Sequence, residues 1–356
     1  MKSWKLTGIN QMELQEIPDP ETPGKEELLL RIETVGVCGS DIHYYTTGRI
    51  GEQVVQYPFT VGHECAATVL EAGEDAGDFK YGDRVAVDPA MPCYECDQCR
   101  AGREHTCRNL RFLGCPGQAE GCLSEMIIMP AQSCFRIPDK MSFAGAAFAE
   151  PLSIGYYAVS LSRIKEGDNI AILGAGPIGV SVLLSAKGAG AGDIYITEKI
   201  DERINIAKNL GASSAYNVNR DDAVKEISGE EPGLLDIIYE CCGQQEALDQ
   251  AIKLLKPGGK LMIVGIPEFE RWSFQADHAR RKEISIIHVR RQNECMQPAI
   301  DLISEGRVNT DMLITHRFPF KKTKEAFDLV AGYKDGVLKA IIDIRCQIED
   351  FRFKNF

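Results

Sequence analysis

The sequence predicts an α/β protein in which a doubly wound parallel sheet is joined to a mainly β domain carrying a metal-clipped lobe. Three observations predict it. From about residue 168 strand-like and helix-like segments alternate, with a glycine-rich turn between the first pair. Before that point the chain reads as short strands separated by turns. Within this first part, four cysteines at 93, 96, 99 and 107 are spaced Cys-x2-Cys-x2-Cys-x7-Cys, close enough for one loop to wrap thiolates around a single ion.

In chain order, residues 27–35 alternate as a strand, 65–71 repeat the pattern, and 83–87 follow a Tyr-Gly turn. These strands belong to a domain expected over 1–155. The stretch of about 88–121 is too long for a structureless loop inside a compact domain, and a metal clip gives it a reason to be ordered. Residues 169–173 form a buried-strand run ending at Gly174, 180–187 have helix composition, 194–197 are the next strand and 201–210 the next helix. Strands at 212–218, 235–239 and 260–264 follow, with a helix over 244–255 that stops at Pro257-Gly258-Gly259. Residues 284–289 supply a sixth strand and complete a nucleotide-binding domain over 156–290. The segment 291–356, helical from 297 and with a last strand at 340–344, is expected to return to the first domain.

Forty basic against 52 acidic residues give a net charge of −12, which opposes nucleic acid and anionic membrane surfaces. Residues 1–10 show no signal-peptide pattern, and the longest apolar stretch, 170–184, is broken by Gly174, Gly176, Pro177 and Gly179, so no membrane span is expected. Thirteen cysteines, clustered or set in apolar runs, fit reduced thiols and metal ligands better than a disulfide lattice. The expected setting is the cytoplasm and the expected partner a small molecule.

The run Gly174-Ala175-Gly176-Pro177-Ile178-Gly179 sits between a strand and a helix. Its glycines serve a tight turn, the approach of a pyrophosphate and close packing of helix on strand. Glu198 stands 19 residues later at the end of the next strand, where a carboxylate can accept bonds from ribose hydroxyls and repel an extra phosphate. NAD is therefore favoured; Lys199 and Arg203 keep NADP as the alternative.

A closed four-sulfur shell has no open coordination position, so chemistry needs a second site. Cys38, His63 and Glu150 could supply three ligands of an open zinc shell, and Glu64 could exchange with water beside the ion. Asp41 would accept the imidazole N–H of His63, and Ser40 and His43 would carry a released proton to solvent. Singly these residues are poor signals, since a lone cysteine or histidine is ordinarily structural; the combination carries the reading.

Together, Cys-Gly-x-Asp-x-His at 38–43, Gly-His-Glu at 62–64, the cysteine lobe, Glu150-Pro151-Leu152 and the glycine run resemble the zinc-dependent medium-chain dehydrogenase/reductase superfamily, over essentially the whole chain. Cys38-Gly39-Ser40-Asp41-Ile42-His43-Tyr44-Tyr45, the glutamate at 150 and Thr315-His316-Arg317-Phe318-Pro319 resemble its sorbitol (L-iditol) dehydrogenase branch. The resemblance implies a GroES-like catalytic domain beside a Rossmann domain, with a catalytic and a structural zinc in each subunit. The catalytic zinc would lie at Cys38, His63 and Glu64 or Glu150, with substrate hydroxyls near Tyr44, Glu150 and Arg290. It further implies NAD contacts at Ile178, Glu198, Arg203, Val264, Gly265 and Ile266, and a homo-oligomer, dimer or tetramer. The implied reaction is oxidation of a secondary alcohol of a polyol to a ketose. L-Threonine, butanediol or polyol-phosphate oxidation uses the same chemistry, and Arg290 and Arg291 together suit a phosphate or carboxylate. A non-catalytic NAD-binding protein is the reading from another class.

Overall fold

The structure, a computed structural model, describes residues 1–344. It divides into two compact units, Met1–Glu150 joined by Met296–Ile344, and Pro151–Cys295.

The first unit is built on a sheet in the order Cys134–Arg136, Arg84–Val87, Glu64–Ala72, Glu27–Gly36, Lys339–Asp343, Ile314–Pro319, with Met126–Pro130 also paired to Glu27–Gly36. Its pairs are antiparallel except the last, Ile314–Pro319 with Lys339–Asp343. Alternation in Glu27–Gly36 sends Leu28, Leu30 and Ile32 into a core shared with Val69, Phe320, Phe327 and Ile342, as a pleat of period two requires. The late chain is thus part of the early core: Trp4 Nε1 donates to the Phe320 carbonyl at 2.7 Å, and Tyr45 meets Phe327 edge-on at 5.5 Å.

Two elements here carry the candidate site residues. Cys38-Gly39-Ser40-Asp41 opens a helix, Gly39–Thr47, ended by Gly48 at φ +72°. Glu150-Pro151, whose ordinary reading is a helix boundary, lies inside the helix Phe143–Ser162; the proline removes one N–H from that helix without ending it.

In the second unit six strands, all parallel, run in the order Ser214–Asn217, Ile194–Glu198, Ile170–Leu173, Leu235–Glu240, Leu255–Ile263, Ser285–His288. Chain order reverses on either side of Ile170–Leu173, which sets a ligand crevice at the carboxyl ends of the central strands. The helix expected over 244–255 ends at Leu254, and its following strand starts at Leu255 rather than 260. Leu235 pairs with Leu255 but Ile237 with Lys260, so Pro257-Gly258-Gly259 forms a bulge within the strand. Proline has no ladder donor to lose there, and Gly258 takes φ +79°.

Candidate active site

Cys38 precedes the helix Gly39–Thr47, and His63 and Glu64 stand at the start of Glu64–Ala72. Their ligand atoms all lie within 4.8 Å of one another. Asp41 ties the loops together. Its carboxylate accepts the Cys38 N–H at 3.3 Å and the Gly62 N–H at 3.1 Å, and Oδ1 lies 3.3 Å from His63 Nδ1. Burial alone would pull the His63 pKa down, but Asp41 and Cys38 outweigh it and hold the imidazole well above its ordinary value. A buried ring whose neighbours favour its charged form is a setting that a cation suits. A thiolate, an imidazole and a carboxylate suit zinc, whereas hard cations are held by oxygen alone. Ser40 Oγ donates to Cys38 Sγ at 3.3 Å. Ser40 and His43, three apart on one helix, share a face.

Glu150 is 4% exposed. Burial pushes its carboxyl up to about 8; His63 and Lys339 oppose this, and Glu64 and Asp88 add to it, so Glu150 shares the electrostatic neighbourhood of His63 and Glu64. The Tyr44 hydroxyl donates to Gln53 Oε1 at 3.1 Å. Arg290 belongs to the second unit, is exposed, and lies two residues beyond the edge strand Ser285–His288.

The four clustered cysteines converge, with sulfur separations of 3.4 Å for Cys93 and Cys107, 3.6 Å for Cys96 and Cys99, and 3.9 Å for Cys96 and Cys107. Tetrahedral sulfur at zinc-ligand distance stands about 3.8 Å apart, so the spacing fits that ion. Backbone N–H groups of Cys99 and Arg108 pull the Cys96 thiol down to about 6, while burial pushes Cys99 up to about 12; a shared cation is what allows all four to be thiolates together. The described cysteines are free thiols.

In the nucleotide crevice the glycines differ in their reasons. Gly174 turns at φ +104°. A Cβ on Gly179 would meet the Gly174 carbonyl at 1.9 Å, whereas one on Gly176 would find its nearest neighbour at 3.8 Å. Gly176 caps the helix Pro177–Gly188, where unpaired N–H groups face a phosphate. The protein itself does not exclude a side chain at 176; an approaching ligand would. Gly179→Ala is therefore expected to lose about 1–3 kcal/mol by overpacking, seen as a lowered Tm, whereas Gly176→Ala keeps the parent Tm and weakens NAD binding. Thermal unfolding and NAD titration separate the two, and equal Tm losses would contradict the distinction.

Glu198 does more than its expected ribose role: Oε2 accepts the Ala175 N–H at 2.9 Å and Oε1 that of Lys199 at 2.6 Å, pinning the glycine turn to the next strand. Arg203, buried, lies 3.9 Å from Glu198. Pro177 and Ile178 form the first turn of the helix. Val264 and Gly265 both donate to the Glu240 carbonyl, at 2.8 and 2.9 Å, and Ile266 is exposed. Two residues escaped the sequence reading. Glu240, fully buried and with its pKa raised by burial, takes the Cys242 and Gly243 N–H groups at 2.8 and 2.6 Å. Lys339, buried, binds Glu64. The available signal was the same for both, a charged residue in an apolar strand run.

Residues 24–139 match the family described as "Alcohol dehydrogenase GroES-like domain" and residues 177–305 the family "Zinc-binding dehydrogenase". Sorbitol dehydrogenase of Bacillus subtilis (strain 168) is 34% identical over 344 residues, 96% of this chain and 97% of that protein. A structure of 2R,3R-butanediol dehydrogenase from Bacillus subtilis superposes with TM-score 0.86 at 28% identity, covering 96% of this chain and 99% of the other. A structure from E. coli CFT073 described as a short chain alcohol dehydrogenase complexed with NADH gives TM-score 0.87 at 29% identity, covering 97% and 99%. The chain belongs to the zinc-dependent medium-chain dehydrogenase family. It is an oxidoreductase of alcohol groups, with zinc and NAD as cofactors. Among the described residues no helix is long and apolar enough to cross a membrane.

Proposed function

We propose that this enzyme oxidises a secondary alcohol of a polyol of the sorbitol, xylitol or iditol type to the ketose, passing hydride to NAD and releasing one proton. The observation that carries the reaction is the cluster of Cys38, His63 and Glu64, with ligand atoms within 4.8 Å; the polyol class is supported by the likeness to sorbitol dehydrogenase over nearly the whole chain. Cys38, His63 and a carboxylate, Glu64 or Glu150, would hold the catalytic zinc, and Cys93, Cys96, Cys99 and Cys107 the structural one. When bound, zinc supplies Lewis acidity that lowers the alcohol's pKa, and NAD accepts the carbinol hydride. Asp41 fixes the His63 ring. Ser40, beside the Cys38 sulfur, takes the hydroxyl proton and passes it through His43 to solvent. Tyr44, Glu150 and Arg290 are assigned to the substrate's remaining hydroxyls. Gly174, Gly176 and Gly179 form the pyrophosphate turn, Ile178, Arg203, Val264, Gly265 and Ile266 line the dinucleotide, and Glu198 selects the unphosphorylated ribose.

The proposed domain limits are 1–155, 156–290 and 291–356, the described part of the last joining the first; its residues 345–356 lie outside the described residues. The proposed setting is the cytoplasm, and the proposed assembly a dimer or tetramer. Ser285–His288 ends the parallel sheet with Ile286 and Ile287 half-buried, and an open strand edge can be extended by a second copy across a two-fold axis. Light scattering on the purified protein should give a multiple of the 39.3 kDa chain mass; a monomer refutes the assembly.

The substrate test is a panel of polyols, 2,3-butanediol, L-threonine and polyol phosphates, assayed by reduced-cofactor absorbance with NAD and NADP. The highest kcat/KM is expected for a free polyol with NAD. Turnover confined to a phosphorylated substrate, in which Arg290 and Arg291 would take the phosphate, or confined to threonine, overturns the substrate assignment.

A further inference from the structure

A cleft of about 360 Å³ opens in the first unit, lined by Glu52, Gln53, Val54, Gln56, Phe59 and Pro116. That volume is at the small end of the roughly 300–1,000 Å³ of small-molecule sites. One helix links the cleft to the metal cluster. Ser40, whose Oγ donates to the Cys38 sulfur, and Tyr44 stand four apart in Gly39–Thr47 and so share a face. The Tyr44 hydroxyl lies 3.7 Å from the sulfur of Cys115, the residue before Pro116, and donates to Gln53 Oε1 at 3.1 Å. With its carbonyl end taken, Gln53 has its NH2 end left to offer. Among the described residues neither that group nor the side chains of Glu52 and Gln56 have a hydrogen-bond partner, and Glu52 and Gln56 are exposed. An amide donates and accepts and a carboxylate accepts, so this lining suits hydroxyl groups, which do both. Among the described residues lining the cleft, Glu52 carries the one charge. The lining thus offers a phosphate or carboxylate no guanidinium or ammonium group, and Glu52 repels it.

We propose that Glu52, Gln53 and Gln56 form a specificity subsite for the end of the substrate away from the reacting carbon, accepting an uncharged polyhydroxy chain and turning away one that ends in a phosphate or carboxylate. The inference rests on the polyol reading above and deepens it. Gln53 and Gln56 bond the far hydroxyls, Tyr44 orients the Gln53 amide, and Glu52 sets the preference for a neutral end.

The test is steady-state kinetics on the full-length enzyme with NAD, using the best free polyol, the short diol 2,3-butanediol, and sorbitol 6-phosphate as an inhibitor competing with the polyol. In Glu52→Lys the inhibition constant of sorbitol 6-phosphate should fall about tenfold, the scale of exchanging repulsion for attraction near a protein surface. The effect should shrink in about 1 M salt, and Glu52→Asp should keep the parent's constant. In Gln53→Leu the ratio of kcat/KM for the polyol to that for 2,3-butanediol should fall roughly fivefold, the scale of one lost hydrogen bond. An inhibition constant that Glu52→Lys leaves unchanged overturns the proposal. So does a Gln53→Leu loss equal for both substrates, which would make Gln53 only a support for Tyr44. A parent that turns over no free polyol overturns the polyol reading beneath it instead.

Discussion

Cys38→Ser is expected to lower kcat/KM by about 10³-fold or more while leaving a folded protein that binds NAD. A Lewis-acidic ion contributes several kcal/mol of charge stabilisation, and each 1.4 kcal/mol is about tenfold in rate. Serine offers a hard, protonated oxygen where the Cys38, His63 and carboxylate cluster needs a thiolate. Folding is spared because Cys38 occupies the N-cap of the helix Gly39–Thr47, a position that serine fills well. The nucleotide turn lies in the other unit, at Gly174 to Gly179. Kinetics, NAD titration and metal analysis together check this. A variant with parental turnover would refute the role of Cys38, and one that loses NAD binding as well would mark it as structural.

Cys107→Ser should unfold the lobe, with one zinc lost per chain and Tm lowered by about 10 °C or more. No regular element between Ala90 and Phe112 is longer than the four residues of Asp97–Arg100, so the ion takes the place of a core, and zinc binding in such small modules is folding free energy of order 10 kcal/mol. Even a third of that gives the stated shift in Tm for a unit of this size. Activity should fall too, because the lobe's exit strand supports the catalytic loop. Phe112 lies 5.5 Å from the His63 ring, Gly121 and Cys122 bond Thr60 and Gly62 at 2.7 and 2.9 Å, and a Cβ on Gly114 would strike the Gly62 carbonyl at 2.7 Å. Calorimetry and limited proteolysis between 93 and 107 test this; an unchanged Tm with full metal content would contradict it.

The doubly wound sheet was legible because its signals are local. Each strand is an apolar run, and each turn carries glycines whose need is set by the turn itself, as Gly179 against the Gly174 carbonyl shows. Cys93 to Cys107 were legible for the same reason, their spacing being short enough to act within one loop. Where long-range contacts decide, the reading stopped short. The apolar pattern puts the last strand at 340–344, whereas it starts at Lys339, a lysine whose burial depends on a residue 275 positions away. Glu64 and Glu150 stayed interchangeable as ligands because residue type does not show which of two carboxylates a distant ammonium holds. Pro151 shows a different limit of local signals: the N–H that a proline lacks is dispensable inside Phe143–Ser162, where tertiary packing outweighs local propensity. Pro257-Gly258-Gly259 likewise reads as a stop but acts as a bulge between two paired stretches of one strand.

The central claim is that a second ion, held by Cys38, His63 and a carboxylate, drives the reaction beside a purely structural one. Zinc X-ray absorption with metal quantitation on active protein, the parent beside Cys38→Ser, tests it most directly. The account predicts two zinc ions per chain, matching the two donor clusters, in a mixed sulfur and nitrogen/oxygen average environment, falling to one ion in an all-sulfur shell in the inactive Cys38→Ser. A fully active parent with one zinc per chain, bound by four sulfurs alone, would contradict it.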